Sequence, residues 1–324
     1  MTKIKRILTG IFVAALCCAF TACGEGSGPI ANDEKVTVVA TNFALYDFAR
    51  AVCGDECDVR MLLSPGSESH DFEATLEDIA LLAETDVFVY VGGESKEWVP
   101  DVLEASGASD VTQVRAMDFV ETYIIETVEG MEDDHDHEHI ADDGYDHSQQ
   151  IDEHVWTSIP NAVTIMSAIR DAVLSEDEGL ANAMAENEAA YVAELMDIDA
   201  EIREIVDTAA RKTVVFADRF PFRYFTEEYG LNYSAAFSGC SSAVEPSLTT
   251  VNFLIEQVEE NDLPAVFAIE FSDCTTAYAV ARETGCEVLE FHSAHNVSKA
   301  DFESGVTYAD IMRKNAENLK IALN

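Results

Sequence analysis

The sequence predicts an α/β protein of two lobes, each a mostly parallel sheet flanked by helices, joined by one long helix. Three observations lead there. Short β-rich runs alternate with amphipathic stretches from Val36 onward, the alternation restarts after residue 212, and a purely helical stripe lies between the two series. A chain of 324 residues is long enough for two cores of ordinary size.

In the first series the strand-like runs are Val36 to Ala40, Val59 to Leu63 and Asp86 to Val91. Helical patterns follow through Phe43 and Phe48, over Ala74 to Ala83, and around Trp98. The stripe comprises Leu180, Met184, Tyr191, Leu195, Ile198, Ile202 and Ile205, a run of steps of three, four and seven. A helix from Leu180 to Asp207 spans about 42 Å at 1.5 Å per residue, enough to cross a lobe. One stiff connector of this kind predicts small hinge motions. In the second series Thr213 to Phe216, Leu231 to Ala235, Ala265 to Ile269 and Cys286 to Phe291 read as strands, with helices beginning near Pro221, Ser247, Thr275 and Thr307.

The expected organisation is a leader over 1–22, a tether over 23–34, an N-terminal lobe over 35–175, a linking helix over 176–210 and a C-terminal lobe over 211–324. Within the leader, Lys3, Lys5 and Arg6 precede an apolar run from Ile7 to Phe20, too short to span a bilayer comfortably. Phe20-Thr21-Ala22-Cys23 resembles a bacterial lipobox, with phenylalanine where leucine is commoner; it predicts a lipid on Cys23 and attachment to the outer face of the cytoplasmic membrane. Export permits disulfides, and Cys53-Gly-Asp-Glu-Cys57 reads as a local one rather than a zinc knuckle.

With 62 acidic against 19 basic residues the formal net charge is −43, which repels phosphate backbones and excludes a nucleic-acid partner. A cation becomes the first ligand to consider. Four of the eight histidines, His135, His137, His139 and His147, share the tract from Glu132 to His147 with eight Asp or Glu. Without apolar periodicity this tract suits weak, fast capture of a transition metal.

Three further histidines fall at strand ends, where α/β sheets bind ligands. His70 follows the strand ending at Leu63 through Ser64-Pro65-Gly66, His154 precedes Trp156, and His292 follows Phe291; His295 is left over. Asp218, Glu270 and Glu290 occupy equivalent ends. Imidazoles with neighbouring carboxylates are the donor set of zinc or manganese. Because imidazole ligates only when neutral, affinity is expected to fall below about pH 6 to 6.5. HExxH, GxSxG, GxxxxGK[ST] and a strand-linked GxGxxG are all absent from the sequence, so catalysis is not expected. A metal-dependent hydrolase with Glu270 as base, and a cation-buffering lipoprotein or surface adhesin, are the alternatives.

Leu63-Ser64-Pro65-Gly66-Ser67-Glu68-Ser69-His70-Asp71-Phe72-Glu73 and Asp152-Glu153-His154-Val155-Trp156 resemble segments of the zinc- and manganese-binding solute-binding lipoproteins of bacterial ABC importers. Tyr224-Phe225, Tyr229-Gly230-Leu231, Glu245-Pro246-Ser247 and the His-rich tract ahead of His154 are similar as well. The resemblance implies a monomer that captures Zn2+, alternatively Mn2+, between its lobes and delivers it to a membrane permease driven by an ATPase. It also implies His70 and His154 as ligands. The family's third ligand, a histidine in Phe-His-Asp-Ala-Phe, corresponds to Ala217 in Phe216-Ala217-Asp218-Arg219-Phe220. His292 is expected to replace it, with Asp218 or Glu290 as the carboxylate.

Overall fold

The structure is a computed structural model, and it describes residues 35–67, 74–93, 95–108, 110–131, 150–239 and 245–324. His70, the tract from 132 to 147, Cys23 and the leader lie outside the described residues.

Each lobe contains one four-stranded parallel sheet. In the N-terminal sheet β1 (Thr37–Ala40), β2 (Asp58–Met61), β3 (Val87–Tyr90) and β4 (Thr112–Arg115) run in the order β2-β1-β3-β4. The C-terminal sheet repeats this order as β6-β5-β7-β8, from β5 (Thr213–Phe220), β6 (Asn232–Ser238), β7 (Ala265–Ala268) and β8 (Glu287–Glu290). Seven of these eight strands match expected runs to within a few residues; β4, with the polar pattern Thr-Gln-Val-Arg, has too little apolar alternation to read in advance.

The helices are α1 (Phe43–Cys53), α2 (Leu76–Leu82), α3 (Ser95–Ser106), α4 (Ile159–Glu176), α5 (Ala181–Thr208), α6 (Arg223–Tyr229), α7 (Leu248–Glu260), α8 (Thr275–Thr284), α9 (Lys299–Ser304) and α10 (Tyr308–Leu323). Local chemistry sets several starts: Asn42, Thr75, Ser158, Ser247, Ser298 and Thr307 each accept a backbone N–H from the first turn of the helix they cap. The helix α5 is the expected connector. Its Met184, Leu195, Ile198, Ile202 and Ile205 are buried, and it packs against α1, α4 and α10.

Strand alternation divides the apolar residues into three layers. Val38, Ala40, Val87 and Val89 of the first sheet and Val214, Phe216, Ala265 and Phe267 of the second join a single cluster with α1, α4, α5 and α10. The alternate residues face outward, Val39 and Phe88 into one outer layer, Val215, Ala217, Val266 and Ala268 into another. The inner faces of both sheets therefore share one core, and residues 35–324 form one compact unit.

One strand differs from its expected reading in a way that matters for the site. β5 does not end at Phe216; it continues to Phe220 through a register shift between Phe216 and Arg219. Such a bulge inserts one residue and re-aims the side chains beyond it. Asp218 thus lies within an irregular strand rather than in a loop leaving it.

Candidate metal site

The site forms where strand-end loops of the two lobes meet. A small cavity of about 40 Å³ is lined by Ser67 and His154 of the N-terminal lobe and by Arg219, Glu270, Ser293 and His295 of the C-terminal lobe, among others. Space of that size suits an ion or a water, whereas pockets for organic ligands run to roughly 300–1,000 Å³.

His154 is positioned by its own segment. Its backbone N–H donates to Asp152 Oδ1 at 2.8 Å, and its ring Nδ1 lies 3.0 Å from the same oxygen. A carboxylate accepting from Nδ1–H leaves Nε2 as the nitrogen with a free lone pair, the arrangement that orients metal-binding imidazoles. The ring is almost fully buried. Burial pushes its pKa down, but Asp152 beside it, with Glu153 and Glu270 further away, outweighs burial and leaves the pKa raised. The C-terminal lobe braces the segment from behind, where Tyr224 Oη donates to Asp152 O at 2.8 Å. Gly239 closes the other side: a Cβ there would stand 2.8 Å from Phe220 O and 3.2 Å from His154 Cε1.

On the C-terminal side, Ser293 organises the loop after β8. Its N–H donates to Glu270 Oε2 at 2.8 Å, and its hydroxyl donates to Glu270 Oε1. The same hydroxyl accepts from the His295 N–H at 3.2 Å, and the Ser293 carbonyl accepts from Trp156 Nε1 at 2.8 Å. This loop is stitched to the N-terminal lobe at three more points. Phe43 N–H donates to His295 O at 2.9 Å, Gly66 N–H donates to Val297 O at 2.8 Å, and Asn296 Nδ2 donates to both Ser64 O and Ser67 O at 2.8 Å. Ser64 to Ser67 is the turn that leads to His70.

His295 consequently reaches the N-terminal lobe. Its ring centroid lies 5.9 Å from that of His154 and 5.2 Å from that of Trp156. Two imidazoles bound at roughly 2.0–2.1 Å to one tetrahedral zinc would have centroids about 5–5.5 Å apart, so the pair is close to the separation a shared ion requires. Among the described residues no three His, Cys, Asp or Glu side chains form a ready-made cage.

His154, Glu270 and the leftover His295 thus line one cavity, and His292, Asp218 and Glu290 are not among its lining residues. The His292 N–H donates to Asn315 Oδ1 at 2.9 Å, its carbonyl accepts from Asn315 Nδ2 at 2.8 Å, and its Nδ1 accepts from the Ala294 N–H at 2.9 Å. That Nδ1 lies 3.7 Å from Glu270 Oε2, beyond hydrogen-bonding distance. Ala217 is buried in the outer apolar layer. Asp218 and Glu290 both act electrostatically on Cys274, which packs on that same layer.

A turn separates the two histidines. Ala294 adopts φ 59°, a left-handed conformation that alanine seldom takes, and the reversal gives residues 292 and 295 different surroundings. Phe271, directly after Glu270, is likewise left-handed at φ 60°. Nothing in the one-dimensional pattern distinguishes His295 from His292. The weak signal that was present is the spacing His-Ser-Ala-His-Asn, a polar cluster too dense for a plain loop.

A search among known proteins returned relatives over almost the entire chain. The high-affinity zinc uptake system protein ZnuA of Bacillus subtilis is 29% identical over 319 residues, covering 97% of this chain and 97% of that protein. The zinc-binding lipoprotein AdcA of Streptococcus pneumoniae is 29% identical over 321 residues, covering 99% of this chain. The chain spans only 61% of the length of that longer relative. The crystal structure of the Zn(II)-bound ZnuA-like domain of pneumococcal AdcA superposes with a TM-score of 0.71 at 25% identity, over 89% of this chain and 99% of that one. The family model described as zinc-uptake complex component A, periplasmic, matches residues 38–322, and the chain belongs to that family.

Proposed function

We propose that this protein is the extracytoplasmic zinc-binding component of an ABC importer, capturing Zn2+ between its lobes and passing it to a membrane permease powered by an ATPase. The observation that carries this reading is the convergence of His154 and His295, one from each lobe, on an ion-sized cavity whose wall also contains Glu270. In this reading His154 Nε2 and His295 are ligands, Glu270 supplies the carboxylate, and His70, which follows Ser67 in sequence, supplies the remaining donor. A four-ligand shell without an open position holds an ion without activating water. A cavity of about 40 Å³ is nearer the size of an ion than of an organic substrate, which disfavours the hydrolase alternative. An imidazole-rich set favours zinc over manganese. The protein acts as a monomer tethered through a lipid on Cys23, and the tract from 132 to 147 feeds ions to the site.

Calorimetric titration of metal-free protein tests this. One tight zinc equivalent is expected in the wild type, and it should survive deletion of 132–147 but not His295→Ala. Tight binding that vanishes with the tract would make the protein a buffer instead.

A further inference from the structure

The connection from α1 to β2 carries two thiols that the metal site does not use. Cys53 is the last residue of α1, and Cys57 directly precedes β2. Between them Gly54 takes φ 56° and ψ −134°, its N–H donating to Arg50 O at 2.9 Å, and the Glu56 N–H donates to Cys53 O at 3.1 Å. The tight turn places both thiols in the same buried cluster, four positions apart and not joined to each other. α5 holds the turn in this shape. A Cβ on Gly54 would stand 2.7 Å from Asn187 Nδ2, the group that donates to Val52 O at 3.2 Å. Of the two, Cys53 is fully buried and Cys57 keeps 7% exposure.

We propose that Cys53 and Cys57 are a paired oxidation site, closing to an intramolecular disulfide by exchange with a small disulfide of the glutathione class. The Cys57 thiolate attacks the external disulfide, its S–S bond breaks, and one small thiolate leaves. Cys53 then gives its proton to solvent and attacks the mixed disulfide, releasing the second small thiolate. Two protein thiols are oxidised and one external disulfide is reduced to two thiols. The exposure order assigns the first attack to Cys57. Electrostatics agree in direction: the neighbouring Cys53, assisted by Lys35, holds the Cys57 thiol below its ordinary range against burial, Glu56 and Asp177, while the neighbouring Cys57 and burial push Cys53 up. Disulfides form and persist in oxidising compartments such as the cell exterior. The inference goes beyond the zinc reading and does not depend on it.

The test is to equilibrate the fully reduced, full-length chain with oxidised glutathione, quench in acid, alkylate with N-ethylmaleimide and map the peptides by mass. A peptide linking Cys53 to Cys57 is expected, two hydrogens lighter than its reduced form and without glutathione, and the oxidised chain should melt a few degrees higher than the reduced one. In Cys53→Ser a stable glutathione adduct should remain on Cys57. The proposal is overturned if both cysteines still take up maleimide, if glutathione persists on either in the wild type, or if either links to a different cysteine. Should Cys53→Ser fail to fold, the wild-type map alone decides.

Discussion

His154 is fixed by a neighbour two positions away in the chain, whereas Glu270 is fixed by Ser293, 23 positions away on another strand-end loop. The N-terminal half of the site is therefore a local motif. Asp152 sets backbone, ring and tautomer together, and the core beneath it only has to hold one short segment. The C-terminal half exists only after β7 and β8 have paired and the turn at Ala294 has formed. In the first half loss of the carboxylate frees a ring; in the second, loss of a hydroxyl loosens a loop.

The largest effects should come from the imidazoles themselves. His154→Ala and His295→Ala are each expected to weaken zinc binding by more than the roughly 10- to 100-fold that losing an outer partner costs. His292→Ala should stay near wild type. Competition against a chromogenic zinc chelator measures all three, and a severe loss at 292 with little at 295 would reverse the assignment on the C-terminal side. Next comes Asp152→Asn, which keeps shape but removes the charge that orients His154. A drop of about 10- to 100-fold is expected in the same assay. Ser293→Ala removes one of two donors to Glu270 and should cost less, about tenfold, equivalent to the ~1.4 kcal/mol of a strong single hydrogen bond. If Ser293→Ala proves worse than Asp152→Asn, the distant scaffold governs affinity and the local motif is secondary.

The same division explains what was legible in the sequence. Strand and helix positions follow from periodicity, and both sheets and the connector α5 emerge from it because each buries a regular apolar face. His154 was legible because Asp-x-His-x-Trp is contiguous. The placement of His295 was not, since it depends on a left-handed Ala294, on a hydrogen bond from the Phe43 N–H and on a ring contact with Trp156, both more than a hundred positions away. Asp218 was read at a strand end but lies within β5, because a bulge cannot be seen in a run of alternating residues. Thr112 to Arg115 lacked the apolar content that announces a strand, yet pairs with β3 at four positions.

A smaller effect probes how firmly the C-terminal lobe supports the local motif. Tyr224 Oη both donates to Asp152 O and accepts from the Tyr123 N–H at 3.1 Å. Tyr224→Phe leaves one buried and one half-buried backbone group without that partner, so thermal unfolding should show a loss of about 1–3 kcal/mol. Zinc affinity should fall by less than in Asp152→Asn. An equal fall in affinity would mean that His154 is held by the opposite lobe as much as by its own segment.

Asp47 is the case within the N-terminal lobe where the distant chain does the holding, so it tests whether the contrast belongs to the lobes or to the kind of contact. This fully buried carboxylate on α1 accepts from Tyr191 Oη at 2.5 Å, from the Tyr308 N–H at 2.8 Å and from Arg50 Nη2 at 2.6 Å. Burial nevertheless prevails over these donors and leaves its pKa raised. A carboxyl whose folded pKa lies above its unfolded value takes up its proton first in the folded state. Acidification from neutral pH through that raised pKa therefore stabilises the wild type relative to Asp47→Asn, and the gain stops growing below the unfolded value. Melting both proteins from pH 7 downward should show the wild type gaining on the variant; a wild type that loses ground would mean that the three donors, rather than burial, set the charge of this group, and a constant difference that the two cancel.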